Sequence, residues 1–527
     1  MRHLLSPGEL HPFNDFDIAH LLQHRADARG DHPFLIWEPF EGDRRVWSYA
    51  EFADATRRVA AGLHARGVKV GDRVLVHLDN CPESIFSWFG CAVTGASAVT
   101  TNARSVADEL SYYADMADVV GAITQPKFAE LVQSATDPAF LIVTDTDNGA
   151  APAAGHAPEP GDSFERLFEA APLDLRSPDP LLNFSVQFTS GTTSRPKGVV
   201  WNHANALWGA RMCARNEHLN ADDVHLTHLP LFHTNAQSYS VLSSLWAGGT
   251  VVAQPRFSAS RFWDVSLRNR CTWTSIVPFC AKALMARDEA VPVHQYRMWG
   301  NGAQVPAWDD YFGVQTISWW GMTETITQGI VSDPAVPTAP GSIGRSSPAY
   351  KIEVRHDDGS LVEAGETGGL FVRGVAGLSL FKEYLNNTEA TESSFDDQGF
   401  MITGDRVKLL ASGDLQFGDR DKDMLKVGGE NVAASEIERV VATVPGVAEC
   451  AVVAKRDPML DEIPVVFVLP PADTAAAPDE LAASILSACA ESLADFKVPR
   501  EVHVVDELPR STLEKIAKAK LRSLVNE

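Results

Sequence analysis

The chain has 527 residues, too many for a single hydrophobic core, and its 45% hydrophobic content is enough to fill two or more globular domains. With 45 Lys and Arg against 69 Asp and Glu, its formal charge of -24 argues against nonspecific binding to nucleic acid or anionic membranes, so a bound polyanion needs a local positive site. Seven scattered cysteines without a Cys-x-x-Cys pair, an N-terminus without a signal-peptide core and the lack of any run of eighteen apolar residues predict a cytoplasmic protein with no integral membrane segment.

Residues 48–66 have helical character and are followed by the β-rich run Arg73-Val74-Leu75-Val76-His77-Leu78; the alternation recurs past residue 300, which predicts an α/β layout. The Ala-, Gly- and Pro-rich segment 149–161 has little to bury and is expected to be an exposed loop inside the large domain; 470–478 is a second segment of this composition. Phe184-Ser185-Val186-Gln187-Phe188 alternates as a half-buried strand does, and Gly198-Val199-Val200-Trp201 predicts a second strand. Between them runs Thr189-Ser190-Gly191-Thr192-Thr193-Ser194-Arg195-Pro196-Lys197. Glycine lets backbone N–H groups approach phosphate oxygens closely, the hydroxyls add donors, and Arg195 and Lys197 supply charge, so this hairpin loop is suited to a polyphosphate. It is not a Walker A loop, which needs a different glycine spacing and a helix after it. A polar surface turn is the competing reading.

Further along, residues 224–232 alternate like a strand, and His225, His228 and His233 have a spacing that invites a metal; no convergent Cys or carboxylate completes a ligand set. The charged turn Gly418-Asp419-Arg420-Asp421-Lys422-Asp423 is the expected domain boundary, giving a large domain at 1–418 and a small α+β domain at 419–527.

Six more motifs follow the phosphate loop in order: Pro230-Leu231-Phe232-His233, Gly302-Ala303, Gly321-Met322-Thr323-Glu324-Thr325, Thr403-Gly404-Asp405, Asp419-Arg420-Asp421-Lys422-Asp423-Met424-Leu425-Lys426 and Leu508-Pro509-Arg510-Ser511-Thr512-Leu513-Glu514-Lys515. Together they resemble the adenylate-forming superfamily of acyl-CoA synthetases, luciferases and peptide-synthetase adenylation domains. Within it the chain is most similar to the crotonobetaine/carnitine-CoA ligase group, through the loop itself, Asp79-Asn80-Cys81-Pro82-Glu83, Asn102-Ala103-Arg104 and Gly428-Gly429-Glu430-Asn431-Val432.

The resemblance implies a large multi-subdomain adenylation domain and a small mobile C-terminal domain, with ATP, magnesium and coenzyme A as cofactors and a small carboxylic acid as substrate. The acid attacks the α-phosphate of ATP to give an acyl-adenylate and pyrophosphate, and the thiol of CoA then displaces AMP. Both steps gather negative charge at one phosphorus, which calls for donors and cations aimed there in a dry site. By resemblance Thr189, Ser190, Gly191, Thr192, Thr193 and Lys197 hold phosphate, Glu324 and Thr192 hold magnesium, and Lys515 contacts the α-phosphate. Gly302, Ala303, Trp320, Gly321, Met322 and Thr323 line the adenine and nucleotide site, while Asp405, with Arg420 nearby, accepts from the ribose hydroxyls. His233 gates the junction of the acyl and pantetheine passages, Lys422 is the hinge, and Lys426, Gly428 and Gly429 help form the CoA passage. The chain departs from its relatives at Trp320, where most have Tyr, and at Glu514, where they have Gly. Two other readings stay open: an adenylating enzyme that loads a free carrier protein, and a non-catalytic nucleotide-binding derivative of the fold. The acid itself is left as a carnitine-like betaine, a steroid-like acid, a medium-chain fatty acid or an aryl acid, and a homodimer is an open expectation for assembly.

Overall fold

The computed structural model describes residues 11–526 apart from 154, 156, 157, 160, 161, 190–195, 288, 421, 422, 428, 429, 472–476, 494 and 511–515, with the side chains of 419, 420, 424, 426, 430, 431 and 461 left out. The chain divides into two compact units, Met1–Lys351 with Arg373–Phe400, and Ile352–Val372 with Met401–Glu527. Residues 418–423, where the sequence suggests a boundary, therefore fall inside the second unit, with Gly418 to Arg420 closing the strand Leu415–Arg420. A local contact accounts for this grouping: the helix Ala434–Val441 packs on the strand Leu415–Arg420, and Ser435 Oγ donates to the Gly418 carbonyl.

Among the described residues the first unit carries two large sheets. In the seven-stranded sheet the order is Glu383–Tyr384, Lys197–Asn202, Asn183–Thr189, Ser97–Thr100, Arg73–His77, Gly121–Thr124 and Leu141–Val143. Its centre is parallel, and the strands Lys197–Asn202 and Glu383–Tyr384 add an antiparallel edge. The nine-stranded sheet has the parallel run Gln315–Trp320, Met298–Asn301, Trp273–Ser275, Val224–Thr227, Thr250–Ala253 and Pro33–Trp37 at its heart. Parallel sheets are covered on both faces, and ligands gather beyond the carboxyl ends of their strands.

The sequence explains the covering helices. Tyr49–Ala65 starts in a capping box: Ser48 Oγ accepts from the Glu51 amide at 3.2 Å and the Glu51 carboxylate accepts from the Ser48 amide at 2.8 Å. Pro82–Thr94 has proline in its first turn, is buried on every side and stops at Gly95, whose φ of +80° is left-handed. The strand Asn183–Thr189 differs from the half-buried expectation. Ser185 and Gln187 are buried along with Phe184 and Val186, because the strand lies inside the sheet with both faces covered.

The second unit is α+β. A four-stranded sheet of Lys351–Arg355, Thr367–Arg373, Met401–Leu409 and Leu415–Arg420, the last three antiparallel, precedes a five-stranded sheet centred on Asp461–Leu469. Ile437 and Ile485, from the helices Ala434–Val441 and Pro478–Ser492, pack with Leu425, Val452 and Val466, while Leu521 of the helix Lys518–Asn526 packs with Val453 and Val465. That last helix starts at Lys518.

Candidate active site

The two strands that flank the candidate phosphate loop pair antiparallel, as a hairpin requires. Thr189 pairs with Lys197, Phe188 with Gly198 and Val186 with Val200, while Ser190, Gly191, Thr192 and Thr193 lie outside the described residues. Lys197, the first residue of the returning strand, holds its Nζ 4.6 Å from the ring centroid of Tyr384. Tyr384 pairs with Val199 on the neighbouring strand, and its hydroxyl donates to Glu324 Oε1 at 2.8 Å. Burial, and then the charge of Glu324, push the Tyr384 phenol well above its ordinary range, so it stays a protonated donor. A cavity of about 230 Å³ borders this group, lined by Tyr112, Met116, Lys197, Gly198, Tyr384 and Asn387 among others. A larger one, about 510 Å³, is lined by Arg45, Trp47, Asp54, Arg58 and Glu165; it contains no motif residue, and its arginines are already paired with Glu83, Glu165 and Asp54.

Glu324 sits in the single helical turn Thr323–Thr325 beyond the carboxyl end of the strand Gln315–Trp320. Thr325 closes that turn, its Oγ1 accepting from the Met322 amide at 3.0 Å, and Trp201 Nε1 holds the Thr323 carbonyl at 2.9 Å. Gly321 has no room for a side chain, since a Cβ would fall 2.3 Å from Tyr239 Oη. Immediately after Glu324 the backbone is strained: Ile326 has φ +63° and ψ -43°, and the Thr327 amide bonds back to the Thr325 carbonyl at 2.6 Å. This is a γ-turn of the rare kind, with a β-branched residue at its centre. Tyr350 Oη donates to the same Thr325 carbonyl and, at 2.9 Å, to that of Ser379.

At the adjoining strand end Gly302 is exposed, and a Cβ on it would meet nothing within 4 Å. The Asn301 side chain fixes this stretch, accepting from the Gly302 amide at 2.8 Å and donating to the Ala303 carbonyl at 2.7 Å. Trp319 and Trp320, adjacent on the strand Gln315–Trp320, point to its opposite faces. Trp319 stacks on Trp273, 5.9 Å between centroids and 3° between planes, and meets Tyr239 edge-on, so it belongs to the core. Trp320 is on the other face, packed over Gly329. His233 donates its amide to the Pro230 carbonyl at 3.0 Å and precedes the π-helical segment Asn235–Leu242, a form often found at functional sites. The neighbouring Thr234 Oγ1 donates to Gln187 Oε1 at 3.0 Å, which ties this segment to the phosphate-loop strand, and lies 3.3 Å from Thr323 Oγ1. His225 and His228 are instead packed among aromatic rings, next to Trp273 and to Phe257 and Phe262 respectively.

In the second unit Asp405 is buried, follows the left-handed Gly404, and stands opposite Arg420 in the strand register. Its amide donates to Thr403 Oγ1 at 3.1 Å, and that hydroxyl donates to the Leu370 carbonyl at 2.8 Å. Lys426 pairs with Asn431 in the antiparallel register of the strands Met424–Val427 and Glu430–Ala433. Gly428, Gly429, Lys422 and Lys515 lie outside the described residues; an antiparallel bridge from Arg510 to Ile516 flanks the lysine segment.

Residues 22–385 match the family described as AMP-binding enzyme, and residues 436–515 match the AMP-binding enzyme C-terminal domain. The chain belongs to the AMP-binding enzyme family. A crotonobetaine/carnitine--CoA ligase of Escherichia coli (strain SE11) is 34% identical over 517 residues, spanning 94% of this chain and 97% of the relative. The o-succinylbenzoate coenzyme A synthetase from Bacillus subtilis, solved in complex with ATP and magnesium ion, superposes with a TM-score of 0.81 at 26% identity, over 96% of this chain and 98% of its own. An anthranilate CoA ligase in complex with anthranoyl-AMP reaches a TM-score of 0.87 over 99% of both chains, and at 24% identity it bears on the fold alone. This AMP-binding enzyme is thus an adenylate-forming acid–thiol ligase of the acyl-CoA ligase family. Among its described residues no helix is long and apolar enough to cross a membrane.

Sequence reasoning missed three residues of the candidate site in this AMP-binding enzyme. Tyr384 lies 60 residues from Glu324, and only sheet pairing brings them together. Ile326 carries no turn signal, because β-branched residues are the last expected at positive φ. Asn80 is legible as part of a motif, but not as a clamp. Its Oδ1 accepts from the Leu231 amide at 2.7 Å and its Nδ2 donates to the Leu229 carbonyl at 2.9 Å, which fixes the approach to His233.

Proposed function

We propose that this enzyme joins a carboxylic acid to coenzyme A while cleaving ATP to AMP and pyrophosphate, through an acyl-adenylate. The observation that carries the reading is the cluster at the root of the phosphate hairpin: Lys197 over the face of Tyr384, whose hydroxyl holds the Glu324 carboxylate. It sets a cation and a hard anionic oxygen ligand on one ring, as a phosphate chain carrying a divalent ion requires. Glu324 suits magnesium by its oxygen chemistry, with Thr192 as a second ligand. When bound, that ion would neutralise charge on the departing pyrophosphate. Thr189 to Thr193 and Lys197 would cradle the phosphates, Gly302, Ala303, Trp320, Gly321, Met322 and Thr323 the adenosine, Asp405 and Arg420 the ribose, and Lys515 the α-phosphate. His233 would gate the acyl passage, and Lys426 with Gly428 and Gly429 would serve the CoA half-reaction after rotation about Lys422, with the mobile part taken as 419–527.

The name carried by the 34% identical relatives makes a betaine the first acid to test. A quaternary nitrogen is held by open aromatic faces or a carboxylate. Trp273, Trp319 and Tyr239 pack on one another and do not present that arrangement, so the panel extends to alicyclic, medium-chain and aryl acids. Incubation with ATP, magnesium, CoA and each acid is expected to give AMP, pyrophosphate and an acyl-CoA thioester. ADP without AMP would overturn the reading, AMP without thioester would favour a carrier protein as acceptor, and nucleotide binding without turnover of any acid would favour a sensor.

A further inference from the structure

We infer that Tyr384 is a positioning residue for the metal-binding carboxylate: it presets Glu324 for magnesium through its hydroxyl while its ring seats Lys197. The inference rests on reading Glu324 as the magnesium ligand. Glu324 is 4% exposed, and a buried carboxylate that swings between rotamers would bind a cation weakly, since ordering it is a cost borne at binding. The structure removes that freedom from two sides. From the side-chain end, the Tyr384 hydroxyl donates to Oε1 at 2.8 Å, and the strand holding Tyr384 is pinned by its pairing with Val199. From the backbone end, the Phe381 amide donates to the Glu324 carbonyl at 2.8 Å, and the γ-turn at Ile326 fixes the chain two residues on. Both Phe381 and Tyr384 therefore grip the same residue from one short segment. A hydrogen bond to one carboxylate oxygen also directs the remaining lone pairs, and outer partners of this kind tune metal affinity by about 10- to 100-fold. Tyr384 has a second duty that a purely structural tyrosine lacks. Its face holds the Lys197 ammonium at 4.6 Å, so cation and carboxylate share one rigid support.

Tyr384→Phe keeps the ring, its packing on Phe381 and the seat of Lys197, and removes only the donor. The test is a double-mutant cycle with Glu324→Gln, reading the magnesium dependence of α,β-methylene ATP binding by calorimetry alongside the KM for magnesium in turnover. Thermal melts of each variant confirm folding. Tyr384→Phe is expected to weaken the magnesium dependence of analogue binding about tenfold and to raise the KM for magnesium, with kcat at saturating magnesium changed less than about threefold. In the Glu324→Gln background the same substitution should do almost nothing. If Glu324→Gln abolishes the magnesium dependence but Tyr384→Phe leaves it intact, or if Tyr384→Phe costs the same in both backgrounds, the positioning role is overturned while the reading of Glu324 stands. If Glu324→Gln itself leaves the magnesium dependence unchanged, the reading of Glu324 falls, and the inference with it.

Discussion

Gly300 lies flat against the indole of Trp319: a Cβ built on Gly300 would fall 1.7 Å from that ring. The ring is held in place by its neighbours, parallel to Trp273 and at a steep angle to Tyr239. Gly300 is also two residues ahead of Gly302 on the strand that ends at the proposed adenosine site. Gly300→Ala is therefore expected to destabilise the fold by about 1–3 kcal/mol, at the upper end for an overpacked core, and to weaken nucleotide binding by displacing the Asn301–Ala303 stretch. Urea denaturation and calorimetric titration with ATP check both; a variant as stable as the parent would show that the indole stack yields.

Four buried histidines make stability fall on the acid side. Burial holds the imidazoles of His77, His203 and His228 at about 4 and that of His225 at about 3, against 6.5 for the free side chain. Between those values the unfolded chain takes up protons that the native state refuses, so stability is complete above pH 6.5 and is lost as pH falls from 6.5 toward 4. Each contributes at most about 1.4 kcal/mol per pH unit, so the four together approach roughly 5 kcal/mol per unit near pH 5, comparable with the whole stability of many domains. Urea midpoints at pH 7.5, 6.5 and 5.5 are expected to fall increasingly steeply. His225→Phe, which cannot titrate, should flatten the slope; an unchanged slope would mean that His225 is not among the groups responsible.

The sequence carries the phosphate hairpin because its chemistry is local: hydroxyls, glycine and cations sit between two short β-rich runs, and Thr189 does pair with Lys197. Burial of Ser185 and Gln187 was not legible, since alternation reports what a residue is and not how many layers cover it. The paired tryptophans show the same limit. The sequence sets Trp319 and Trp320 side by side, whereas strand parity sends them to opposite faces, Trp319 into the stack with Trp273 and Trp320, equally buried, over Gly329. What remained hidden is the support of Glu324, built from a γ-turn with no turn residue and a tyrosine 60 positions away.

The two half-reactions should separate by mutation. If Lys515 serves adenylation and the Gly428-Gly429 segment serves thioesterification, Lys515→Ala is expected to slow acyl-adenylate formation by at least 100-fold, roughly the cost of removing one preorganised donor, while sparing CoA attack on supplied adenylate. Gly429→Leu should do the reverse. Pyrophosphate release and thioester formation, measured separately in single turnovers, decide it; equal loss of both steps in both folded variants would argue against alternation of the small domain.

The strain at Ile326 predicts an inversion of the usual glycine penalty. Ile326 is fully buried, so Ile326→Ala and Ile326→Gly both lose the side chain, at a shared cost of about 2–5 kcal/mol. They differ in the backbone alone. At an ordinary φ, alanine would be the more stable by about 0.4–1 kcal/mol, because glycine leaves the unfolded chain more freedom. At φ +63° alanine keeps the steric strain of an L-residue, worth about 1–3 kcal/mol, and glycine releases it. Ile326→Gly is therefore expected to be the more stable of the pair, by about 1 kcal/mol. The comparison cancels the cavity term and leaves a sign to be read from two denaturation curves. Alanine proving the more stable would mean that the turn relaxes without its isoleucine, and that the Thr325 carbonyl, held by Tyr350 and by the Thr327 amide, does not lock the backbone behind Glu324.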